Sequence, residues 1–423
     1  MGCSQQAAEL LARTEAYLVE ELLPFWIERS PDPEYGGFLT YFDRNGQPTG
    51  ETTKTFLMQI RMLYTLASAH RAGYGDGRCA ALARRAADFI LDHYWDDEQE
   101  GWVWIADRSG RPTFTGKVGY GQCFGMYAFS EHFLATGDQR GRRAAEHSYR
   151  AICTHMADTA RGGYYEIMRQ DWQPERPGRY GGDRKSLDVH MHMMEALTTY
   201  YEMTGHPTHR RRLEEVIHLI LTRMLEPVSG TGYMQFSLNW TPLRAIMCAV
   251  EWGSDKEPED GVARPLNLTS YGHNAELVWL LLHAADILGV ERSRYASVVE
   301  KIMDHVVLYG VDPEHGGVAI EGPMDGPSTQ TDKQFWQQAE VMVALLDAYR
   351  LLGKEQHWDA FVKAHSFVFD RMVNHEAGGE WRALVARDGT PIWGYLGHAW
   401  KISYHTVRGT IQVIRRLREL QAA

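Results

Sequence analysis

The chain has 423 residues, of which 44% are hydrophobic and 23% are charged, as is usual for a globular protein with a full apolar core. Its net charge of −11 argues against nucleic acid or an anionic membrane as the main partner, because both repel an acidic protein. The cysteines are scattered and form no CxxC pair, and the N-terminus has no basic signal region. No apolar run is long enough to span a membrane. These features together predict a cytoplasmic protein.

From the N-terminus onward, predicted helices alternate with short glycine-aromatic segments. The first helix, "LLARTEAYLVEELLPFW", has apolar residues at three- and four-residue spacing, and "YGGFLTYFDRNG" after it predicts a hairpin with an Asn-Gly turn. The segment "KTFLMQIRMLYTLASAHRA" is then helical again. The further glycine-aromatic segments are "EGWVW" at 100–104, "RGGYY" at 161–165, "GTGYM" at 230–234, "HGGVA" at 315–319 and "GGEWR" at 378–382.

The helices between these segments fall into two classes. The more polar helices are predicted near 78–95, 139–157, 207–225, 291–309 and 355–374, and the more apolar ones near 119–136, 185–204, 271–288, 333–352 and 402–420. With the first pair they make six helical hairpins, which predicts an all-α (α/α)6 barrel with an inner and an outer ring of helices. An open helical solenoid is the alternative, but six pairs with apolar inner helices favour closure. Since no linker interrupts the repeat, we predict one domain over residues 1–423.

Polar and aromatic side chains lie near the N-terminal ends of the predicted inner helices. In a barrel these ends converge on one funnel, so they predict a binding site. The residues concerned are Lys54, Arg61, Tyr120, Asp188, His192, His273, Glu276, Phe335, Trp336, Glu340, Trp400 and His405. A single buried histidine is usually a hydrogen-bonded core residue. Three on different inner helices, each with a partner three or four residues away, favour a catalytic function.

Other chemistries lack their sequence signatures. His190 and His192 are two residues apart and would point to nearly opposite sides of a helix, and there is no HExxH, cysteine cluster or EF-hand loop, so we expect no metal. No GxSxG, Rossmann or P-loop motif is present. The tryptophans could be core packing or platforms for sugar faces, and composition does not decide between these.

Histidines on opposite walls of a pocket suit proton transfer at a carbon next to a carbonyl. Such a step needs bases with a pKa near neutral, and that of histidine is about 6.5. An arginine, which is always protonated, can stabilise the enediolate oxygen. A carboxylate beside a histidine fixes its tautomer and raises its basicity. This is the role that the sequence predicts for Glu276, one turn after His273.

These segments resemble the N-acylglucosamine 2-epimerase superfamily, which includes cellobiose 2-epimerases, mannose 2-epimerases and aldose–ketose isomerases for mannose or sulfoquinovose. The similarity runs from "YGGF" to "YHTVRG" and is carried by "SYGHNAELVWLL", "HMHMMEA" and "FWQQAE". It implies an (α/α)6 barrel and an isomerisation through a cis-enediol that needs no cofactor and no metal.

The resemblance also implies roles for individual residues. His273 and His405 correspond to the two acid/base histidines on opposite sides of C2, and His192 to a third that opens the sugar ring or binds near O1. Arg61 would hold the O1 and O2 oxygens, and Glu276 would support the base. The residues expected at the sugar subsites are Trp336, Trp400, Asp188, Tyr120 and Glu340, the last as a hydroxyl acceptor.

Three departures from the family pattern lie where substrate contacts are expected. Asp188 replaces an asparagine, Phe335-Trp336 replaces a tandem tryptophan, and the connection "VEWGSDKEPEDGVARPLNLTS" is long and acidic. They leave the acid/base residues unchanged but leave open whether the substrate is a monosaccharide or a disaccharide.

We therefore expect a cofactor-independent 2-epimerase for a neutral, unphosphorylated sugar such as mannose, glucose or cellobiose, since no arginine-rich phosphate cradle is evident. An aldose–ketose isomerase would use the same histidines. A glycoside hydrolase on the same barrel would need two carboxylates, for which Asp188, Glu276 and Glu340 are available. A non-catalytic binding protein would be expected to lack a key histidine. The composition fits a monomer and a homodimer equally well.

Overall fold

The computed structural model describes residues 3–248 and 263–422, with side chains described from residue 5 onward. Most of the acidic connection noted above lies in 249–262, outside the described residues. The helices are α1 (Cys3–Tyr17), α2 (Leu23–Arg29), α3 (Phe56–Arg71), α4 (Arg78–His93), α5 (Gly119–Thr136), α6 (Gln139–Ala151), α7 (Leu187–Thr204), α8 (Pro207–Leu219), α9 (Tyr271–Leu288), α10 (Ala296–His305), α11 (Phe335–Leu352), α12 (Glu355–Phe367) and α13 (Ser403–Ala422).

The inner ring consists of α3, α5, α7, α9, α11 and α13. Each of these helices packs against the next one along the chain, and α13 packs back against α3, so the ring is closed. The prediction of a barrel is confirmed, and the open solenoid is wrong. The inner helices have apolar residues on nearly all faces, because neighbouring helices cover nearly all of these faces. In α5, for example, every residue from Gly119 to His132 is buried.

Every outer helix except α4 contains a single π-helical turn close to its C-terminal end. These turns are Leu18–Leu22 between α1 and α2, Ile152–Met156, Ile220–Met224, Val306–Gly310 and Val368–Met372. A π turn adds one residue to a helical turn and is uncommon in helices. Its recurrence shows that the hairpins are structural repeats, although their sequences differ.

Short antiparallel strands surround the mouth formed by the N-terminal ends of the inner helices. They are β1 (Lys54–Thr55), β2 (Ile105–Ala106), β3 (Pro112–Phe114), β4 (Lys117–Val118), β5 (Ile167–Met168), β6 (Arg184–Ser186), β7 (Gln235–Ser237), β8 (Pro242–Leu243), β9 (Leu268–Ser270), β10 (Glu321–Pro323), β11 (Lys333–Gln334), β12 (Leu384–Val385) and β13 (Pro391–Trp393). They form the sheets β1-β2-β3, β4-β5, β6-β7-β8, β9-β10 and β11-β12-β13. A strand that leads into one inner helix pairs with the loop of the next hairpin, and a bridge between Phe42 and Gly397 closes the series.

A buried lysine precedes five of the six inner helices and pairs with an acid of the preceding loop. The pairs are Lys54–Asp32 (2.9 Å), Lys117–Asp96 (2.9 Å), Lys185–Asp158 (2.9 Å), Lys333–Asp312 (3.2 Å) and Lys401–Glu380 (2.8 Å). Lys54, which the sequence placed in the funnel, therefore holds a loop instead. Before α9 the equivalent position is Thr269, whose hydroxyl donates to the carbonyl of Gly232 at 2.9 Å.

A second side chain that binds the preceding loop lies five residues after these lysines. Gln59 binds both backbone groups of Phe38, accepting from its N–H and donating to its carbonyl, each at 2.9 Å. His190 occupies the same place in its repeat, where its Nε2 accepts from the N–H of Tyr164 at 3.1 Å. The loop must pass close to this side chain. Gly163 has a φ of +74°, and a Cβ there would lie 2.5 Å from Nε2 of His190. His190 is thus a structural residue.

Candidate active site

Each inner helix contributes one of the predicted site residues to the same mouth. They are Arg61 on α3, Tyr120 on α5, His192 on α7, His273 on α9, Trp336 on α11 and His405 on α13. A cavity of about 170 Å³ lies here, lined by Tyr120, Asp188, His273 and Trp400 among others. A larger cavity of about 870 Å³ lies near His305 and Tyr309, but none of the predicted site residues lines it.

His405 forms a buried pair with Glu340. Its Nδ1 lies 2.7 Å from Oε1 of Glu340, and its side chain is 8% exposed. Burial lowers the pKa of His405 to about 3, and the nearby Arg61 and Arg408 act in the same direction, whereas Glu340 opposes the shift. At neutral pH the ring is therefore uncharged. With Nδ1–H donated to the carboxylate, Nε2 carries a free lone pair, which is the protonation state of a general base. The lowered pKa departs from the near-neutral value expected from the sequence, because burial outweighs the contact with Glu340.

Glu340 does not act as the predicted hydroxyl acceptor. It is fully buried, and its second oxygen accepts a hydrogen bond from Nε1 of Trp279 at 2.7 Å. Its other oxygen is engaged by His405 and Arg408, so neither oxygen is left for a hydroxyl of the substrate. Its contacts make it the group that orients His405.

His273 lies at the mouth and is the most accessible of the three histidines, with a side chain 26% exposed. Its position is fixed because Ser270 caps α9 by accepting from the backbone N–H of His273. The ring centroid of Trp336 lies 4.6 Å from that of His273 and 5.6 Å from that of His405. The tryptophan thus brings the two predicted acid/base groups to one place. Nε2 of His273 lies 3.6 Å from Oδ1 of Asp188.

His192 has acidic partners at both ring nitrogens. Nδ1 lies 2.8 Å from Oε2 of Glu195, and Nε2 lies 3.3 Å from Oδ1 of Asp188. Burial alone would lower the pKa of His192, but Glu276, Asp188 and Glu195 outweigh it and raise this pKa to about 10. The ring is therefore an imidazolium at neutral pH, with a proton on each nitrogen. Tyr120 lies beside it, with its hydroxyl 3.2 Å from Nε2.

Arg61 is held at the mouth by Tyr120 and Trp400. Its Nη2 donates to the hydroxyl of Tyr120 at 2.5 Å, and its Nη1 donates to the carbonyl of Trp400 at 3.3 Å. The guanidinium lies over the ring of Tyr404, 4.7 Å from the ring centroid. Its Nε is buried and has no hydrogen-bond partner. The group is thus a fixed positive charge on the floor of the site.

Arg408 joins the two buried histidine systems below the mouth. It donates to Glu276 at 2.7 Å and to Glu340 at 2.8 Å, and it also donates to Glu195. Glu340 holds His405 and Glu195 holds His192. One guanidinium therefore positions a carboxylate on each side of the pocket.

The predicted pairing of Glu276 with His273 is wrong. Oε1 of Glu276 binds Arg408, and its Oε2 is buried without a partner. The spacing of three residues places His273 and Glu276 on one face of α9. However, His273 lies in the first turn at the mouth, whereas Glu276 lies deeper in the barrel. Burial and the neighbouring Glu340 raise the pKa of Glu276 to about 7. The carboxylate beside His273 is Asp188 instead.

One group of side chains in the described part of the chain has the composition of a metal site. Ligand atoms of Glu276, Glu340 and His405 lie within 4.8 Å of one another. Nη2 of Arg408 binds both carboxylates, so a positive charge of the protein already occupies the space between them. These residues do not fit a resident metal, and the absence of a metal from the reaction stays a prediction.

Glu195 and Arg408 belong to the candidate site, but the sequence analysis missed them. Each lies three residues after a predicted histidine, Glu195 after His192 and Arg408 after His405. This is the same spacing that drew attention to Glu276. Applied to every histidine, it would have identified both.

The sequence profile of the family described as N-acylglucosamine 2-epimerase (GlcNAc 2-epimerase) matches residues 36–409. A cellobiose 2-epimerase of Bacteroides fragilis is 25% identical over 94% of this chain and 96% of its own length. A D-mannose isomerase of Marinomonas mediterranea is 23% identical over the same shares of the two chains. The structure of the cellobiose 2-epimerase of Spirochaeta thermophila superposes with a TM-score of 0.85 at 26% identity, covering 98% of each chain.

None of the helices in the described part of the chain combines the length and apolarity needed to cross a membrane. The family match covers most of the sequence, and the closed ring of helices carries the three histidines at one mouth. The chain therefore belongs to the N-acylglucosamine 2-epimerase family of carbohydrate epimerases and isomerases.

Proposed function

We propose that the protein is a 2-epimerase of a neutral, unphosphorylated sugar, with a monosaccharide of the mannose/glucose type as its substrate. The observation that carries the proposal is the position of Trp336, whose ring lies within contact distance of both His273 and His405. Two histidines that share one platform at a cavity can reach opposite sides of a single carbon.

The proposed reaction begins when the open-chain aldose lies with C2 between these histidines. The uncharged His405 suits proton removal, because its Nε2 lone pair is free while Glu340 holds Nδ1–H. The C2–H electron pair then forms the C1=C2 double bond, and O1 becomes the enediolate oxygen that Arg61 stabilises. Return of a proton to the opposite face of C2 from His273 gives the epimer. For the reverse sugar the two histidines exchange roles.

His192 suits the opening of the sugar ring. Because it is an imidazolium, it can donate a proton to the ring oxygen while the C1–O5 bond breaks. The neutral nitrogen left on His192 then accepts the proton of the C1 hydroxyl as the C1=O1 double bond forms. The net product is the open-chain aldehyde, and His192 regains its charge. Asp188 and Glu195 keep the charge on His192 through their contacts with both nitrogens.

The size of the cavity supports a monosaccharide. Its volume of about 170 Å³ lies below the range of pockets that enclose larger ligands. A β-1,4-linked disaccharide such as cellobiose remains the alternative, because relatives are named cellobiose 2-epimerases.

An aldose–ketose isomerase is the second candidate, and the named D-mannose isomerase favours it. The same enediol yields a ketose if the proton returns to C1. A glycoside hydrolase is not supported, because Arg408 binds Glu276 and Glu340 below the mouth. Of the three carboxylates considered for that chemistry, Asp188 is the one that lines the cavity.

We further propose that the reaction needs no cofactor and takes place in the cytoplasm. The cysteines Cys79, Cys123, Cys153 and Cys248 are free thiols, which suits a reducing compartment. The acidic net charge supports a small neutral sugar, and not nucleic acid, as the partner.

The test is incubation with D-mannose in D2O, followed by NMR. We expect glucose with deuterium at C2, whereas fructose labelled at C1 would identify the isomerase. His405→Asn should abolish exchange, and the exposed His218→Asn is the control. If mannose, cellobiose and N-acetylmannosamine all stay unlabelled with the wild-type protein, the proposed function is wrong.

A further inference from the structure

Glu166 is an acidic side chain on the cavity wall, and one of its two carboxylate oxygens has no hydrogen-bond partner. It lies directly before β5 and lines the same 170 Å³ cavity as Asp188 and His273. Its Oε2 is inaccessible to solvent and makes no hydrogen bond. Burial raises the pKa of Glu166 to about 7, and the charge of Asp188 acts in the same direction. A buried carboxylate oxygen without a hydrogen bond lowers the stability of the fold unless a ligand donates one.

The polar groups beside Glu166 already have partners within the protein. The hydroxyl of Ser186 contacts Glu166 and also accepts from the N–H of Val189. Gln235 is occupied, since its Oε1 accepts from the N–H of Ile246 and its Nε2 donates to the carbonyl of the same residue. Arg264 donates to Glu321 at 2.7 Å. Val118 and Ile167 on this wall are apolar. The carboxylate of Glu166 is therefore an acceptor with unused capacity for a hydroxyl here.

The topology places Glu166 across the mouth from the predicted proton-transfer groups. Its segment joins α6 to α7, on the side of the ring formed by α5 and α7. Trp336 and His405 lie on α11 and α13, which are opposite α5 and α7 in a closed ring of six helices. A hexose with C1 and C2 beside His405 would direct its far end, with C4 to C6, towards Glu166.

We infer that Glu166 binds a hydroxyl at C4 or C6 of the sugar and so determines which sugars are accepted. This inference rests on the proposed function. A carboxylate accepts from a hydroxyl without changing the reacting carbon, so the contact is equal in the ground state and the transition state. Its loss should therefore raise KM more than it lowers kcat.

The experiment compares wild type, Glu166→Gln and Glu166→Ala on D-mannose, 4-deoxy-D-mannose and 6-deoxy-D-mannose. We expect Glu166→Ala to raise KM for mannose roughly 10- to 100-fold, as for a lost hydrogen bond to a charged group. Glu166→Gln should lose less. For the deoxy sugar that lacks the bound hydroxyl, the penalty of either variant should shrink to within about twofold, because neither protein can make the contact.

The control is Asp171→Asn, an exposed carboxylate of the same hairpin that lines no part of the cavity. Thermal unfolding separates binding from structure. Oε2 of Glu166 has no protein partner to lose, and glutamine keeps a carbonyl oxygen for the contact with Ser186, so we expect Glu166→Gln to unfold at or above the wild-type temperature. An unchanged KM for mannose, an equal penalty on all three sugars or a lowered unfolding temperature of Glu166→Gln would overturn the inference. Wild type that converts none of the sugars would instead contradict the proposed function.

Discussion

His405 and His192 are two buried histidines in one pocket that differ in charge: the ring of His405 is neutral and the ring of His192 is positively charged. His405 shares its single carboxylate, Glu340, with Arg408, so that burial dominates and the ring is neutral. His192 has Asp188 and Glu195 at its two nitrogens, and the ring is charged. The partners, and not the histidines themselves, thus separate the candidate base from the candidate acid.

Replacement of Glu340 by glutamine should lower kcat about 100-fold or more and leave KM within a few-fold. The variant loses the negative charge that favours protonation of His405 during the reaction, but Glu340 is fully buried and does not touch the sugar. Steady-state kinetics with the preferred sugar measures both constants.

The control for this variant is Glu355→Gln on the neighbouring helix α12, where the side chain is exposed. Circular dichroism should show that the barrel is intact. A rise in KM without a fall in kcat would mean that Glu340 binds a substrate hydroxyl after all, as the sequence analysis expected.

The charge on His192 makes the stability of the fold depend on pH. Its folded pKa of about 10 lies above the value of about 6.5 in an unfolded chain, so proton binding stabilises the folded state. That contribution is complete below about pH 6.5 and is lost as the pH rises through about 10. We expect the wild-type free energy of unfolding to fall more steeply than that of His192→Gln between about pH 7 and 10.

Urea unfolding at stepped pH values measures this difference. In the wild-type protein the pKa values of Asp188 and Glu195 are lowered, so both carboxylates stay ionised across this range. Parallel curves for the two proteins would contradict the assigned charge.

At this scale, the sequence predicted which residue types meet but not how they pair. His273 and His405 both contact the ring of Trp336, so they lie close together, as the sequence predicted for two groups that act on one carbon. The spacing of Glu276 from His273 was right for one helix face, but Arg408 from another helix binds that carboxylate. Such pairings between distant helices depend on depth in the barrel, which local spacing does not contain.

At the scale of elements, the buried lysines before five of the six inner helices explain how the mouth is held. Lys117 on β4 is fully buried and binds Asp96 at 2.9 Å. It also donates to the carbonyl of Gly101 in the glycine-aromatic segment. The interaction fixes the start of α5, and therefore Tyr120, relative to the preceding loop.

Lys117→Met should lower the free energy of unfolding by about 3–5 kcal/mol, because the variant leaves Asp96 buried without its cation. Urea unfolding measures the loss. The exposed Lys363→Met is the matched control and should change stability by less than about 0.5 kcal/mol. A variant as stable as wild type would show that the buried pairs do not hold the mouth together.

Helix positions were predicted well because their apolar periodicity is local. The predicted ranges 119–136 and 271–288 coincide with α5 and α9. The range 333–352 began two residues too early, since Lys333 and Gln334 pair with β12 of another hairpin. Pairing across the mouth between separate hairpins leaves no periodic signal in either segment.

At the scale of the whole molecule, the closed ring leaves no natural boundary between halves. Each inner helix packs against two inner neighbours, and α13 is held by α3, α11 and α1. We therefore expect one cooperative unfolding transition. Far-ultraviolet circular dichroism, tryptophan fluorescence and residual activity should give coincident urea curves. Two separate transitions would contradict the single domain predicted from the sequence.

The order of the helices has a consequence for synthesis of the protein. Glu195, Glu276 and Glu340 lie on α7, α9 and α11, whereas the guanidinium that joins them belongs to Arg408 on α13. A growing chain therefore leaves the ribosome with three acidic groups before their shared cation has been translated. Messages truncated before codon 403 would yield inactive polypeptides, and catalytic competence arises only once translation has passed this final helix.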